Sequence, residues 1–293
     1  MVVSTASVAH ACPHRLVLGV LKYGCLTTAV ESKLEARGHL LLVRLKDGML
    51  CLVVVAVAAS FGDKEGYTQS LPNDVMWPKH IYMTDKDLGR VPSYVHDALR
   101  RYAPGYRVSW FDDSDCLAYM TKHSTARVLA AYQSIPNGAH RADMWRYQIL
   151  RTHGGVYLDA DLILKRPLDE VFRDRRLAYT AIDTQSRGIF QAVLVSPPHN
   201  PVFAKLIDLM VETVTRDYDY DYAVFVRQFY TQFTNVVGPG QYSALNTNWE
   251  LFQERCGSAA QCGDRKDRYG LCCNVYNARG DLLMGSRYPD FPF

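Results

Sequence analysis

From Pro78 onward the chain alternates short apolar runs of β-prone residues with longer stretches of helical apolar spacing. Lys79–Thr84, Tyr106–Phe111, Val156–Leu158, Leu177–Ile182 and Ile189–Val195 are the short runs and predict strands. Pro92–Tyr102, the segments around Tyr119 and Val128, the stretch from Gly138 and Pro201–Val214 carry the helical spacing. This alternation predicts an α/β fold, with a mainly parallel Rossmann-like sheet flanked by helices. Ligands of such sheets gather beyond the carboxyl ends of the strands.

One stretch organises the rest. Between Gly138 and Phe172, Ala142, Trp145, Tyr147, Ile149 and Leu150 recur at helical spacing, and Gly154-Gly155 stops the helix. Val156-Tyr157-Leu158 is short and β-prone, Asp159-Ala160-Asp161 ends it, and Pro167 opens another short helix. In extended chain the carboxylates of Asp159 and Asp161 point the same way and repel unless a cation sits between them. A hard divalent ion held through oxygen ligands suits them, a solvated D-x-D turn being the alternative. An EF-hand does not fit, because Ile163 and Leu164 occupy the fifth and sixth loop positions, where an oxygen ligand and a glycine belong. On the helix, Asp143 and Arg146 are three apart and share a face, as a local ion pair or as a functional couple.

The run HRADMWRYQILRTHGGVYLDADLILKRPLDE, with A-D-x-x-R-Y followed by G-G-x-Y-L-D-x-D, resembles the DXD-containing glycosyltransferases of family 32. That family includes yeast-type α-1,6-mannosyltransferases and inositol phosphoceramide mannosyltransferases. The resemblance runs from about Pro78 to Pro239. It implies a GT-A architecture and retaining sugar transfer from a nucleotide sugar, GDP-mannose or a UDP-sugar, with Mn²⁺ or Mg²⁺. It implies a glycan or glycolipid acceptor, such as inositol phosphoceramide. By the same resemblance Asp143 and Arg146 contact the donor sugar, and Tyr157 lies near its pyrophosphate. Asp159 reaches the ribose and sugar and is the second metal candidate; Asp161 ligates the metal. Gln191 is a donor-sugar candidate, and Gly238 opens the family's G-P loop, whose backbone meets phosphate. The first strand departs from the family pattern. Tyr82 replaces a histidine and Asp85 stands where a base-stacking tryptophan belongs, leaving Tyr82 or Trp77 as substitutes. Members of the family commonly finish with a His- and Trp-bearing segment; here no histidine follows His199, so the third protein ligand is unassigned, with Asp281 and Ser286 as candidates.

Composition narrows the partners. A net charge of +3 over 293 residues makes no case for nucleic acid. Residues 1–60 read as a leader. Met49–Ala59 resembles the apolar core of a secretory signal or a short anchor, with Arg44 and Lys46 before it and Ala56-Val57-Ala58 as a cleavage pattern. A β-strand is the alternative. The run is too short to span a bilayer but offers membrane association, and it points to the secretory pathway, at the Golgi lumen or membrane. Residues 61–77 read as a stem and 78–293 as the catalytic domain. Cys256, Cys262, Cys272 and Cys273 lack zinc-site spacing and read as disulfides, with three pairings open. Asp112–Asp115 reads as a helix cap rather than a metal cluster, and Tyr218–Tyr222 as a solvated helix entry. His140 and His153 read as structural. A catalytically weak relative that only binds nucleotide sugar or glycan is the alternative to an active enzyme.

Overall fold

The computed structural model describes residues 39–44, 50–55, 74–183, 188–216, 221, 223–238, 240–258, 262 and 270–292. Residues 1–65 and 66–293 are two compact units. In the first, β1 (His39–Arg44) and β2 (Leu50–Val55) pair antiparallel, with His39 opposite Val55. The apolar run after Met49 therefore contains a strand, the alternative to the signal reading. The rest of the leader lies outside the described residues, as does most of the stem. Among the described residues no helix is long and apolar enough to cross a membrane.

The second unit begins its packing at Trp77, which is fully buried and donates its indole N–H to Leu177 O at 3.2 Å. Then follow β3 (His80–Thr84), α1 (Ser93–Tyr102), β4 (Arg107–Phe111), α2 (Asp113–His123), α3 (Ala126–Ser134) and α4 (Gly138–His153). After them come β5 (Gly155–Leu158), β6 (Ile163–Leu164), α5 (Leu168–Val171), β7 (Ala178–Asp183), β8 (Gly188–Ser196), α6 (Pro201–Arg216) and α7 (Val224–Tyr230). The chain closes with β9 (Phe233–Gly238), β10 (Gln241–Ala244), β11 (Thr247–Gly257), β12 (Cys272–Tyr276) and β13 (Leu282–Gly285). As read from the sequence, the aspartates before α2 form a cap. Asp112 and Asp115 make a reciprocal capping box, which satisfies orphan N–H groups at that helix end.

The sheet order is β4-β3-β5-β8-β7-β11-β12-β13-β6, with the β9–β10 hairpin added beside β11. β3 is parallel to β4 and β5, and β7 to β11; β8 runs antiparallel between β5 and β7. Beyond β11 every ladder is antiparallel. The α/β class expected from the alternation is present, but the sheet is mixed rather than mainly parallel. Most of the antiparallel ladders belong to the C-terminal third, and β8 adds two more between β5 and β7. Since β8 reverses direction twice over, β3, β4, β5, β7 and β11 all end on one rim.

The sheet must also curl. β6 follows β5 after only Asp159–Leu162, a reach of about 17 Å for extended chain, yet it stands six places away in strand order, about 29 Å if flat. Curling brings β13, and whatever follows it, over the end of β5. Alternation along the strands divides the core between two faces. Tyr82, Tyr157 and Leu194 pack with α2, α3, α4, α6 and α7, whereas Ile81, Val156, Leu158, Val193 and Val195 pack with α1, α5 and β13.

Candidate active site

The turn from α4 into β5 fixes the site. Gly154 has φ +64°, and a Cβ there would lie 2.5 Å from Pro198 N; a Cβ on Gly155, φ +110°, would lie 2.7 Å from His80 O. Only glycines let the helix end this close to its neighbours. α4 is buried on nearly every side from His140 to Leu150, so Asp143 and Arg146 lie inside the protein rather than on its surface.

Arg146 is the hub. Its guanidinium lies 3.6 Å from Asp143 and 3.5 Å from Asp159, and it stacks 4.3 Å over the Tyr157 ring. Its Nη1–H donates to Gln191 O at 2.7 Å and its Nε–H to Ala142 O at 3.3 Å. Burial works against its charge, but Tyr157, Asp159 and Asp143 outweigh it and hold the proton more firmly than usual. Burial pushes the Asp143 carboxyl up from its ordinary range, while Arg146 and His140 pull it back. The Tyr157 hydroxyl donates to Asp159 Oδ1 at 2.5 Å. Across β8, the Tyr147 hydroxyl donates to Gln191 Oε1 at 3.0 Å, which leaves the buried Gln191 Nε2 without a hydrogen-bond partner. A buried donor left open at a rim is a polar group waiting for a ligand acceptor.

Asp161 occupies the same rim two residues on. Burial and the nearby Asp159 charge push its carboxyl up to about 7, while Arg287 opposes them. Asp159 and Asp161 offer hard oxygen ligands side by side at this rim, the donor type that suits a divalent cation such as Mg²⁺ or Mn²⁺.

The structure thus gathers Asp143, Arg146, Tyr157, Asp159 and Gln191 in direct contact, with Asp161 beside them. Other candidates fall elsewhere. Tyr82 is 4% exposed, packed against His80 and Phe111, and Trp77 is 0% exposed, so neither offers a ring face to a base. Their apolar surface is better used in the core than at an open cleft. Gly238 closes the β9 ladder opposite Gln241, and Leu251 N–H donates to Gly240 O at 2.6 Å. Leu251 stands level with Thr180, mid-strand on β7, so this turn stops short of the rim. Of the third-ligand candidates, Asp281 sits in a turn with Asn277 and Arg279, away from Asp161, while Ser286 directly precedes Arg287. His140 is buried against Phe225, and His153 packs with Tyr119 and His123, in keeping with structural roles. Tyr218–Tyr222 lies outside the described residues except for Asp221.

Two rim residues escaped sequence reasoning. Glu254, near the end of β11, is buried, and that burial pushes its carboxyl up to about 7. The alternation Trp249, Leu251 marks that strand, but nothing local marks its glutamate as a rim group. Arg287 Nε–H donates to Asp161 Oδ2 at 3.0 Å, a contact between residues 126 apart that only the curl of the sheet creates. Disulfide Cys256–Cys273 ties β11 to β12 and Cys262–Cys272 ties the connecting segment to β12, one of the three open pairings.

Paired carboxylates, a buried arginine and an open amide donor thus meet at one rim of a mixed α/β sheet, an arrangement consistent with a GT-A type fold. Residues 90–178 match the family model described as a glycosyltransferase sugar-binding region containing a DXD motif. That segment, 89 of the 293 residues, is thus similar to the DXD glycosyltransferases. The chain is similar to an uncharacterized glycosyltransferase of Acanthamoeba polyphaga mimivirus, 26% identical over 110 residues, covering 37% of this chain and 43% of that protein. It is also similar to mannosyl phosphorylinositol ceramide synthase SUR1 of Saccharomyces cerevisiae, 29% identical over 143 residues, covering 46% of this chain and 35% of that protein. The matched segments thus span less than half the length of either relative. Among solved structures the chain is similar to the PaToxG glycosyltransferase, with 16% identity and a TM-score of 0.42, covering 54% of this chain and 69% of that one.

Proposed function

We propose that the protein is a retaining, metal-dependent glycosyltransferase that moves a sugar from a nucleotide-sugar donor to a glycan or glycolipid acceptor. The observation that carries this reading is the convergence of Arg146 on Asp143, Asp159, Tyr157 and Gln191, beside Asp161. Asp161 and Asp159 would hold the divalent cation, which when bound neutralises charge on the departing nucleoside diphosphate. Asp143 accepts hydrogen bonds from donor-sugar hydroxyls, and Gln191 Nε2 supplies an N–H that the fold leaves open. Arg146 fixes both by its own bonds and presents a permanent positive charge toward the donor. Tyr157 holds Asp159 in its rotamer. Charges fixed in advance where charge develops are commonly the largest catalytic contribution. The acceptor oxygen bonds to the anomeric carbon on the face from which the diphosphate oxygen departs. Its proton passes to that oxygen, and no protein nucleophile is needed.

Mannose is the proposed sugar and a ceramide-linked inositol phosphate the proposed acceptor class, supported by similarity to the yeast mannosyl phosphorylinositol ceramide synthase. A secretory-pathway location is supported by the two disulfides, since such bonds persist in oxidising compartments. The test is purified protein with Mn²⁺ and a panel of nucleotide sugars, followed for donor hydrolysis. Turnover that Asp161→Asn removes supports the enzyme. Binding without turnover supports a catalytically weak relative, and neither binding nor turnover defeats both.

A further inference from the structure

The segment after β13 straps the rim. Arg287 Nε–H donates to Asp161 Oδ2 at 3.0 Å, and Tyr288 N–H donates to Asp161 O at 3.0 Å. The Tyr288 ring packs 4.5 Å from that of Tyr94, whose hydroxyl donates to Asp290 Oδ1 at 3.3 Å; Phe291 is buried in the core. The strap therefore has apolar anchors at Tyr288 and Phe291 and an ionic anchor, Arg287 on Asp161. The charge of Arg287 also acts on Glu254, so it serves an acidic rim rather than a single partner.

This ionic anchor uses the carboxylate oxygen that a cation would need. A guanidinium in contact with Asp161 and a divalent ion on the same carboxylate repel each other strongly at such range. We propose that Arg287 is the resident counter-cation of Asp161, which a divalent cation displaces, so that filling the cation site loosens the strap of residues 286–291. This rests on the reading of Asp161 as a cation ligand. Coupling of this kind is reciprocal: whatever weakens the strap's ionic anchor strengthens cation binding, and the reverse. It would link donor-site loading to the opening of a C-terminal cover.

The test is Mn²⁺ binding to the full chain without nucleotide, read from the electron paramagnetic resonance of the free ion. Wild type, Arg287→Gln, Arg287→Lys and Asp161→Asn are compared, each checked for a native circular dichroism spectrum. Arg287→Gln is expected to bind Mn²⁺ about tenfold tighter, a size typical of coupled sites, and Arg287→Lys, which keeps a competing charge, to stay near wild type. Hydrogen exchange of residues 286–291 is expected to rise on Mn²⁺ addition to wild type but not to Asp161→Asn. Equal or weaker binding by Arg287→Gln overturns the proposal, as does a strap whose exchange ignores Mn²⁺. If Arg287→Gln fails to fold, the exchange measurement still decides. Asp161→Asn tests the underlying reading separately: wild-type binding in that variant removes Asp161 as a cation ligand, whatever Arg287 does.

Discussion

Tyr157→Phe isolates one hydroxyl at the centre of the site. The ring stays, so the Arg146 guanidinium keeps its seat 4.3 Å above it, and the packing of β5 is unchanged. What is lost is the 2.5 Å bond to Asp159 Oδ1. A hydrogen bond to a charged group contributes about 1.5–3 kcal/mol where nothing replaces it. Here the Asp159 side chain is 31% exposed and keeps Arg146 at 3.5 Å, so water fills the gap. The stability loss should therefore be only about 1 kcal/mol. Function should suffer more, because Asp159 loses the bond that sets its rotamer. Partners that orient a metal ligand commonly change affinity or activity by roughly 10- to 100-fold, equivalent to about 1.4–2.8 kcal/mol of barrier. The assay is steady-state nucleotide-sugar hydrolysis with Mn²⁺, alongside urea denaturation of the same samples. Turnover within about twofold of wild type, in a stably folded variant, would refute the positioning role; so would a stability loss near 4 kcal/mol, which would attribute lost activity to unfolding.

Three further substitutions probe other parts of the account. Gln191→Leu removes the open amide donor while keeping most of the volume, so it should raise KM for the donor with little loss of melting temperature; an unchanged KM argues against sugar contact. Gly154→Ala places a methyl 2.5 Å from Pro198 N at φ +64° and should cost about 3 kcal/mol by denaturant titration. A loss below about 1 kcal/mol would show that the turn relaxes easily. Glu254→Gln reads a buried acid whose folded value, about 7, lies above its ordinary 4.5. A raised folded value means that the stabilising proton is present below pH 4.5 and lost as pH rises through 7. Wild-type stability should fall across that window by up to about 3 kcal/mol relative to the variant, and parallel pH profiles would contradict it.

Local grammar made the central stretch legible. Helical spacing through Leu150, the glycine pair, three β-prone residues and the D-x-D turn each rest on neighbours in sequence, and α4 and β5 formed as those signals imply. The Asp112–Asp115 cap was legible for the same reason. What local pattern did not carry was the C-terminal third. β9 to β13 are held by ladders between distant segments and by two disulfides among turn-rich residues, and the alternation in Thr247–Gly257 breaks where Leu251 and Phe252 are buried in succession. Arg287 shows the limit most plainly. In sequence it is one arginine in a polar tail, and its meeting with Asp161 depends on the curl of the sheet. Tyr82 failed in the other direction: a strand tyrosine beside a motif looked available, yet the alternation on β3 turns it into the core.

The central claim is that these side chains form one donor site built on a cation-binding carboxylate. It is tested most directly by isothermal titration of a nucleotide sugar such as GDP-mannose into wild type and Asp161→Asn, each with and without Mn²⁺. The account predicts Mn²⁺-dependent binding to wild type and at least a tenfold loss of that dependence in the variant, about 1.4 kcal/mol of coupling. Equal Mn²⁺-dependent binding by both proteins would contradict it.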